Sequence, residues 1–391
     1  MQIPISKPYF TEEEKQAVIR PLETGWVVQG PNVAEFEKLF CDHTKAKYAS
    51  ATSNCTTALH LALIGLGIGP GDRVIVPSFT YVASQNAVEY CGAEVVFCDI
   101  DLKTFTIDIK QLERLLIENK DIKAIIAVSL FGLSADMISI MTLAKEHNCV
   151  VVEDSACAFD SWLNNNHSGT LADAGCFSFH PRKVICTGEG GMLITSDEKL
   201  HSKVQILKNH GASKSDFDRH ADGAGSLLPD FKVRGYNYRM TDLQGALGVC
   251  QIKKSKYMMS ERRRLAKKYD EALGQISQLI TPLTPSGYIH SYQSYVCLFM
   301  PDVGELDEKY INSCNIKRNQ LMQKLQNKGI ATRQGTHAVH TLDYYSKRYS
   351  ISNKDFISSY AADRLSISLP LYVGMKDEEF EYIIESIKEL L

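Results

Sequence analysis

Lys183 sits in the stretch Cys176-Phe-Ser-Phe-His-Pro-Arg-Lys-Val-Ile-Cys-Thr-Gly-Glu-Gly-Gly191, between a serine–histidine pair and a glycine-rich turn. A lysine that forms a Schiff base must be partly desolvated, so that its amine can shed a proton and act as a nucleophile. Small and polar neighbours leave room beside it for a flat ring. Glu153-Asp154 follows directly on Val150-Val-Val152, with Asp154 standing 29 residues before the lysine. A carboxylate there can keep a pyridine nitrogen protonated and let the ring accept electrons. An aspartate at a strand end can equally cap a helix. Ser53-Asn-Cys-Thr-Thr-Ala-Leu-His60 reads as polar residues opening a helix from Thr56 to about Leu66. The free N–H groups and dipole of such a helix suit a phosphate, although an ordinary capped helix looks the same. Tyr81 follows the run Val74-Ile-Val76 and can stack on a ring or pack in a core. The stretch Arg234-Gly-Tyr-Asn-Tyr-Arg-Met-Thr-Asp242 gathers anion-binding side chains before another helix, which Thr241 or Asp242 can cap.

The elements that must hold these residues alternate. Strand-like runs occur at Val74-Ile-Val76, Val95-Val-Phe97, Ile125-Ile-Ala-Val128, Val150-Val-Val152 and Met192-Leu-Ile-Thr195. Helical patterns such as Ile107 to Ile117 and Met137 to His147 lie between them. Short apolar strands separated by helices predict a parallel sheet covered on both faces, with ligands beyond the carboxyl ends of the strands. Gly65-Leu-Gly-Ile-Gly-Pro-Gly71 has Pro70 where a dinucleotide loop needs its third glycine, so it reads as a helix-ending turn. A long helix from about Thr241 toward Leu273 carries Lys253, Lys254, Lys256, Arg262, Arg263 and Arg264, read as a solvated face. Strand-like runs and helices of a smaller domain follow from Tyr288.

At 44% hydrophobic and 23% charged residues, the chain reads as an ordinary globular protein long enough for two domains. Its net charge of -3 argues against a nucleic-acid binder. Eleven cysteines at irregular spacing, with no C-x-x-C, argue against disulfides or a zinc ribbon and for a reducing cytoplasm. The amino terminus lacks an apolar signal core, and no stretch is long enough to span a membrane. The lack of H-E-x-x-H argues against a metal enzyme, and the missing G-x-G-x-x-G against a dehydrogenase.

Order and spacing together decide more than any single motif. Gly25-Trp-Val-Val-Gln-Gly-Pro-Asn-Val33, Ser178-Phe-His-Pro-Arg-Lys183 with Thr187-Gly-Glu-Gly-Gly191, and Tyr236-Asn-Tyr-Arg-Met240 resemble signatures of the DegT/DnrJ/EryC1/StrS sugar aminotransferases, fold-type I pyridoxal-phosphate enzymes. The resemblance implies an α/β fold: a three-layer α/β/α large domain of the aspartate aminotransferase type, at residues 1–250, and a smaller α+β domain, at 251–391. It implies that Lys183 carries the cofactor, pyridoxal 5'-phosphate. Asp154 would partner the pyridine nitrogen, Tyr81 would stack on the ring, and Cys55, Thr56 and Ser178 would bind the phosphate. Asn237 would reach the phosphate of a neighbouring subunit, implying a homodimer with shared active sites. His180 and Arg239 would line the sugar or nucleotide side. Arg333 and His337, with His340, would contact the substrate or belong to a polar loop. The implied reaction moves an amino group from L-glutamate to a nucleotide-linked keto sugar, a 4-keto-6-deoxy hexose on the evidence of Ile5-Ser-Lys-Pro-Tyr-Phe10. A 3-keto sugar, or binding without turnover, are the alternatives. Two positions depart from the pattern: Cys157 replaces a glutamine expected at the cofactor's phenolic oxygen, and Asp160 replaces a small residue.

Overall fold

Seven strands form the central sheet of the computed structural model, which describes residues 1–213, 230–300 and 306–391. They are β1 (Tyr48–Thr52), β2 (Arg73–Pro77), β3 (Glu94–Cys98), β4 (Ile122–Val128), β5 (Val150–Asp154), β6 (Ala174–Ser178) and β7 (Gly191–Thr195). Their order is β3-β2-β4-β5-β6-β7-β1. All five predicted runs lie in strands. Two strands escaped the sequence reading, because Tyr-Ala-Ser-Ala-Thr and Ala-Gly-Cys-Phe-Ser are poor in the β-branched residues that mark a buried strand. The sheet is also not wholly parallel: β7 runs antiparallel to both β6 and β1.

Side chains alternate across the sheet. Ile75, Ile125 and Val151 face one side, covered by α5 (Ile109–Glu118) and α6 (Met137–Glu146). Val74, Val76, Ala124, Ile126 and Val152 face the other, covered by α3 (Cys55–Gly65), α4 (Ala83–Tyr90) and α7 (Glu198–Leu207). This is the expected three-layer α/β/α arrangement. After α3 the chain turns through Gly67 and Gly71, both at positive φ, and enters β2.

Outside these layers, α1 (Glu12–Thr24) and α2 (Pro31–Thr44) pack on α8 (Asp242–Leu273). Thr241 caps α8, accepting from the Gln244 N–H, while Asp242 instead accepts from Asn32 and the Val33 N–H. The basic cluster on α8 is only in part a solvated face: Lys253, Lys256 and Arg264 are exposed, whereas Lys254, Arg262 and Arg263 turn toward the fold. Lys254 pairs with Glu13 and Glu14, Arg263 with Asp160, and Arg264 with Glu261. Arg262 is buried and donates to the carbonyls of Tyr292, Gln293 and Leu371.

α8 runs unbroken through residue 250 and ends in a second core. There Leu265, Tyr269 and Leu273 meet a three-stranded antiparallel sheet, β8 (Leu279–Ile280), β9 (Tyr295–Phe299) and β10 (Ser366–Leu369). α9 (Glu308–Asn327) and α12 (Asp377–Leu390) cover it. Tyr288–Ile289 does not open this region, since it pairs with Trp162–Leu163 beside the large sheet. Tyr345 of α10 (Asp343–Tyr349) and Tyr360 of α11 (Ile357–Leu365) pack into the first core, so the two regions share apolar contact.

Candidate active site

The strand register brings the chemical residues to one edge. Thr52 and Ser178 both lie opposite Gly191, and Asp154 lies beside both Cys176 and Val128. Alternation along β5 separates its two acids. Glu153 is fully buried and accepts from Ser129, Ser168 and the Gly169 N–H, a structural knot. Asp154 turns to the opposite side, accepting from Ser84 Oγ (2.7 Å) and the Ala156 N–H (3.1 Å). Burial raises its pKa, and those bonds together with the Lys183 charge only partly oppose the rise. A buried carboxyl in that state gains from any cation brought against it.

Lys183 follows a turn closed by its N–H on the His180 carbonyl. Its Nζ lies 3.0 Å from Cys157 Sγ. Burial works against its charge, and Cys157, Cys55 and Asp154 outweigh that, so its pKa lies above the ordinary lysine value. The cysteine that interrupts the family pattern thus touches the lysine itself. Asp160, the other departure, stays out of the pocket. It binds His43 (3.1 Å) and Arg263 (2.9 Å), which pins α2 and α8 to the loop after β5.

Opposite the lysine loop, α3 presents its first turn. Asn54 accepts from the Thr57 N–H, and among the described residues nothing accepts from the N–H groups of Cys55 or Thr56. A Cβ on Gly191 would come within 2.7 Å of the Cys55 nitrogen, so only glycine leaves this cradle open. The unpaired donors, the helix dipole and the nearby Ser178 hydroxyl suit a phosphate.

Among the remaining candidates, Tyr81 is 65% exposed, its ring uncovered at the end of the strand segment after β2. His337 lies opposite Thr80 in a short antiparallel pair, which brings it beside Tyr81. Arg333 lines a cavity of about 70 Å³ with Arg182, Ile5, Ser6 and Gln293. His180 is half-buried, and burial lowers its pKa. Asn237 is exposed, while the next carbonyl, of Tyr238, accepts from the Ser53 N–H at the α3 cap. Arg239 donates to Asn209 (2.7 Å), a tie within its own neighbourhood. His340 is not a ligand of the site: it is buried against Phe356 and bonded to Ser78, with a pKa lowered to about 4.

Three contributors were missed in the sequence. Ser84 holds Asp154 and, at the second position of α4, gave no signal of its own. Gln293 donates to the Arg182 carbonyl and steadies the lysine loop from 111 residues away. Arg182, beside the lysine, was passed over as part of the motif. His43, Asp160 and His167 cluster at metal-ligand range. However, His167 Nδ1 donates to the Ser168 carbonyl and its Nε2 accepts from the Asp160 N–H, so it has no lone pair to offer.

A model of the DegT/DnrJ/EryC1/StrS aminotransferase family matches residues 8–388. The chain belongs to that family. It is 36% identical over its whole length to the spore coat polysaccharide biosynthesis protein SpsC of Bacillus subtilis, of which the match spans 97%. It is 34% identical, again over its whole length, to the GDP-perosamine synthase of Caulobacter vibrioides, of which the match spans 98%. Its fold superposes on the PMP-form of Spr1654 from Streptococcus pneumoniae with a TM-score of 0.90 at 29% identity, covering 100% of this chain and 99% of that one. The protein is therefore an aminotransferase, and pyridoxal phosphate is its cofactor. The edge described above fits that group: free N–H donors at the first turn of α3, a buried carboxyl and an amine between them.

Proposed function

We propose that this protein is a sugar aminotransferase that passes the amino group of L-glutamate to a nucleotide-linked 4-keto-6-deoxy hexose. The observation that carries the reading is the convergence of Lys183, Asp154 and the open first turn of α3 on one edge of the sheet. Two relatives add to it, one named for a coat polysaccharide and one for a GDP-linked amino sugar. When bound, pyridoxal phosphate supplies an electron sink for the charge left as a proton leaves the amino-acid carbon.

Lys183 would hold the cofactor and then, once freed, move that proton as general base and acid. Proton transfer by a positioned side chain contributes about 10²–10⁴-fold. Asp154 would face the pyridine nitrogen, with Ser84 and the Ala156 N–H fixing its orientation. Cys55, Thr56 and Ser178 would hold the phosphate, and Tyr81 would cover the ring. His180, Arg239, Arg333 and His337 would serve the substrate side. Ile5 and Ser6, from the segment behind the 4-keto assignment, line the cavity beside Arg182 and Arg333, which supports a role for that segment on the substrate side.

Asn237 is exposed and follows Phe231 and Val233 in the chain, which are exposed apolar residues. That surface would be covered in a homodimer with shared active sites, each Asn237 reaching the other subunit's phosphate. No helix among the described residues is long and apolar enough to cross a membrane, and the free cysteines suit a cytoplasmic protein. The test is to treat the cofactor-loaded enzyme with L-glutamate, remove the amino acid, and add UDP-, dTDP- or GDP-linked 4-keto-6-deoxy hexoses. One of them should restore the visible band and gain an amine by mass. Restoration only by 3-keto sugars, or by none, would refute the proposed acceptor.

A further inference from the structure

The cavity of about 70 Å³ beside the lysine loop is lined by two guanidinium-bearing residues that lie far apart in the chain, Arg182 and Arg333. Arg182 precedes Lys183. Arg333 is set by a backbone bridge to Ser368 on β10, with bonds of 3.2 and 2.6 Å. The two are close enough for Arg333, with burial, to lower the pKa of Arg182. Among the described residues no carboxylate pairs with either. Asp363 is bonded to Gln334 and faces Arg364, His337 and Arg318. Like charges held together without a counter-ion cost free energy that a bound anion returns.

Both side chains are exposed, and the backbone that carries them is held firmly. Gln293 Nε2 donates to the Arg182 carbonyl (2.8 Å). The Gln293 carbonyl is in turn gripped by the buried Arg262 (2.6 Å), which also binds the carbonyl of Leu371, another wall of the cavity. Ser6, Ser294, Ser368 and Gln334 add polar groups around it. Its size suits one carboxylate or one phosphate.

We infer that Arg182 and Arg333 form a single anion pocket used in turn by both substrates. It takes the side-chain carboxylate of a dicarboxylic amino donor in the first half-reaction and a phosphate of the nucleotide sugar in the second. An enzyme that admits two dissimilar substrates by turns to one lysine needs a contact that both can make, and an anion is what they share. This inference rests on the glutamate-to-nucleotide-sugar reading above.

The test is calorimetric titration of the cofactor-loaded full chain with glutarate, and separately with UDP, dTDP and GDP. The proteins compared are wild type, Arg182→Met, Arg333→Met and Arg333→Lys. Each methionine variant should weaken both glutarate and the preferred nucleoside diphosphate by about tenfold or more, the loss expected for one charge-assisted contact. Arg333→Lys should recover part of the loss, and glutarate should compete with the nucleotide in wild type. Unchanged affinities, loss of only one of the two anions, or simultaneous binding of both would overturn the shared pocket. Bleaching of the visible band by L-glutamate separates the two levels. Wild type that bleaches while its anion affinities ignore both arginines refutes the pocket alone; wild type that does not bleach refutes the function.

Discussion

At the scale of single residues, the site depends on groups that act through others. Ser84 contacts Thr80 and the Tyr81 carbonyl only at 3.4 Å, whereas at 2.7 Å from Asp154 it is one of two donors that keep a buried carboxyl oriented. Its loss leaves burial less opposed, and Asp154 shifts further toward its neutral form. We expect Ser84→Ala to weaken cofactor binding by about tenfold, on the scale of one hydrogen bond to a charged group, with Ser84→Thr restoring most of it. Titration of the cofactor-free protein followed by absorbance measures this, and unaltered affinity in Ser84→Ala would remove Ser84 from the site. Lys183 and Asp154 were legible in the sequence because they sit in runs whose composition restricts their use. Ser84 and Gln293 were not, because a serine inside a helix and a glutamine in a distant loop acquire meaning only from what the fold sets beside them. His340 shows the converse: it shared a polar stretch with Arg333 and His337, but the chain turns it inward against Ser78 and Phe356.

At the scale of elements, the proposed phosphate cradle is made by a helix and a strand meeting edge to end. The α3 first turn can donate to a ligand because β7 begins with a residue that has no side chain. In Gly191→Ala the new Cβ would lie 2.4 Å from the Asn54 carbonyl carbon and must push the turn aside. We expect that variant to fold, with a Tm lowered by several degrees, and to lose affinity for both pyridoxal phosphate and inorganic phosphate. Equilibrium dialysis of the two ligands tests this; a variant that binds both as wild type does would place the phosphate elsewhere. Strands of Val and Ile could be read directly, whereas β1 and β6 could not, since their small residues carry no strand signal, and Gly175 of β6 is small because the Gly169 backbone lies against it. The reversal of β7 also left no trace in composition, because direction is set by the loop that carries Lys183.

At the scale of the whole molecule, histidines buried in their neutral form set how the fold responds to acid. His167, His290 and His340 are desolvated, with pKa values lowered to about 4, about 3 and about 4. The unfolded chain takes up these protons near pH 6.5 and the folded chain does not until much lower. Their cost is therefore absent above about pH 6.5 and grows as the pH falls toward 4, by about 1.4 kcal/mol per pH unit for each histidine. Thermal unfolding followed by circular dichroism should show a Tm that is steady from pH 8 to 7 and falls from pH 6 to 5. A flat Tm over that lower range would mean that these rings are solvated. The large sheet and its cofactor chemistry could be foreseen from local patterns, but the sharing of one core by α10, α11 and the sheet joins residues more than 250 positions apart, which no local pattern reports.

The central claim is that Lys183 holds the cofactor and moves the proton. The most direct test is the visible spectrum of cofactor-loaded wild type and Lys183→Ala before and after L-glutamate. Wild type should show a yellow band that bleaches on addition of the amino acid. Lys183→Ala should lack the wild-type band and fail to bleach at a rate within about 10²-fold of wild type. A Lys183→Ala protein with the wild-type band and bleaching rate would contradict the account.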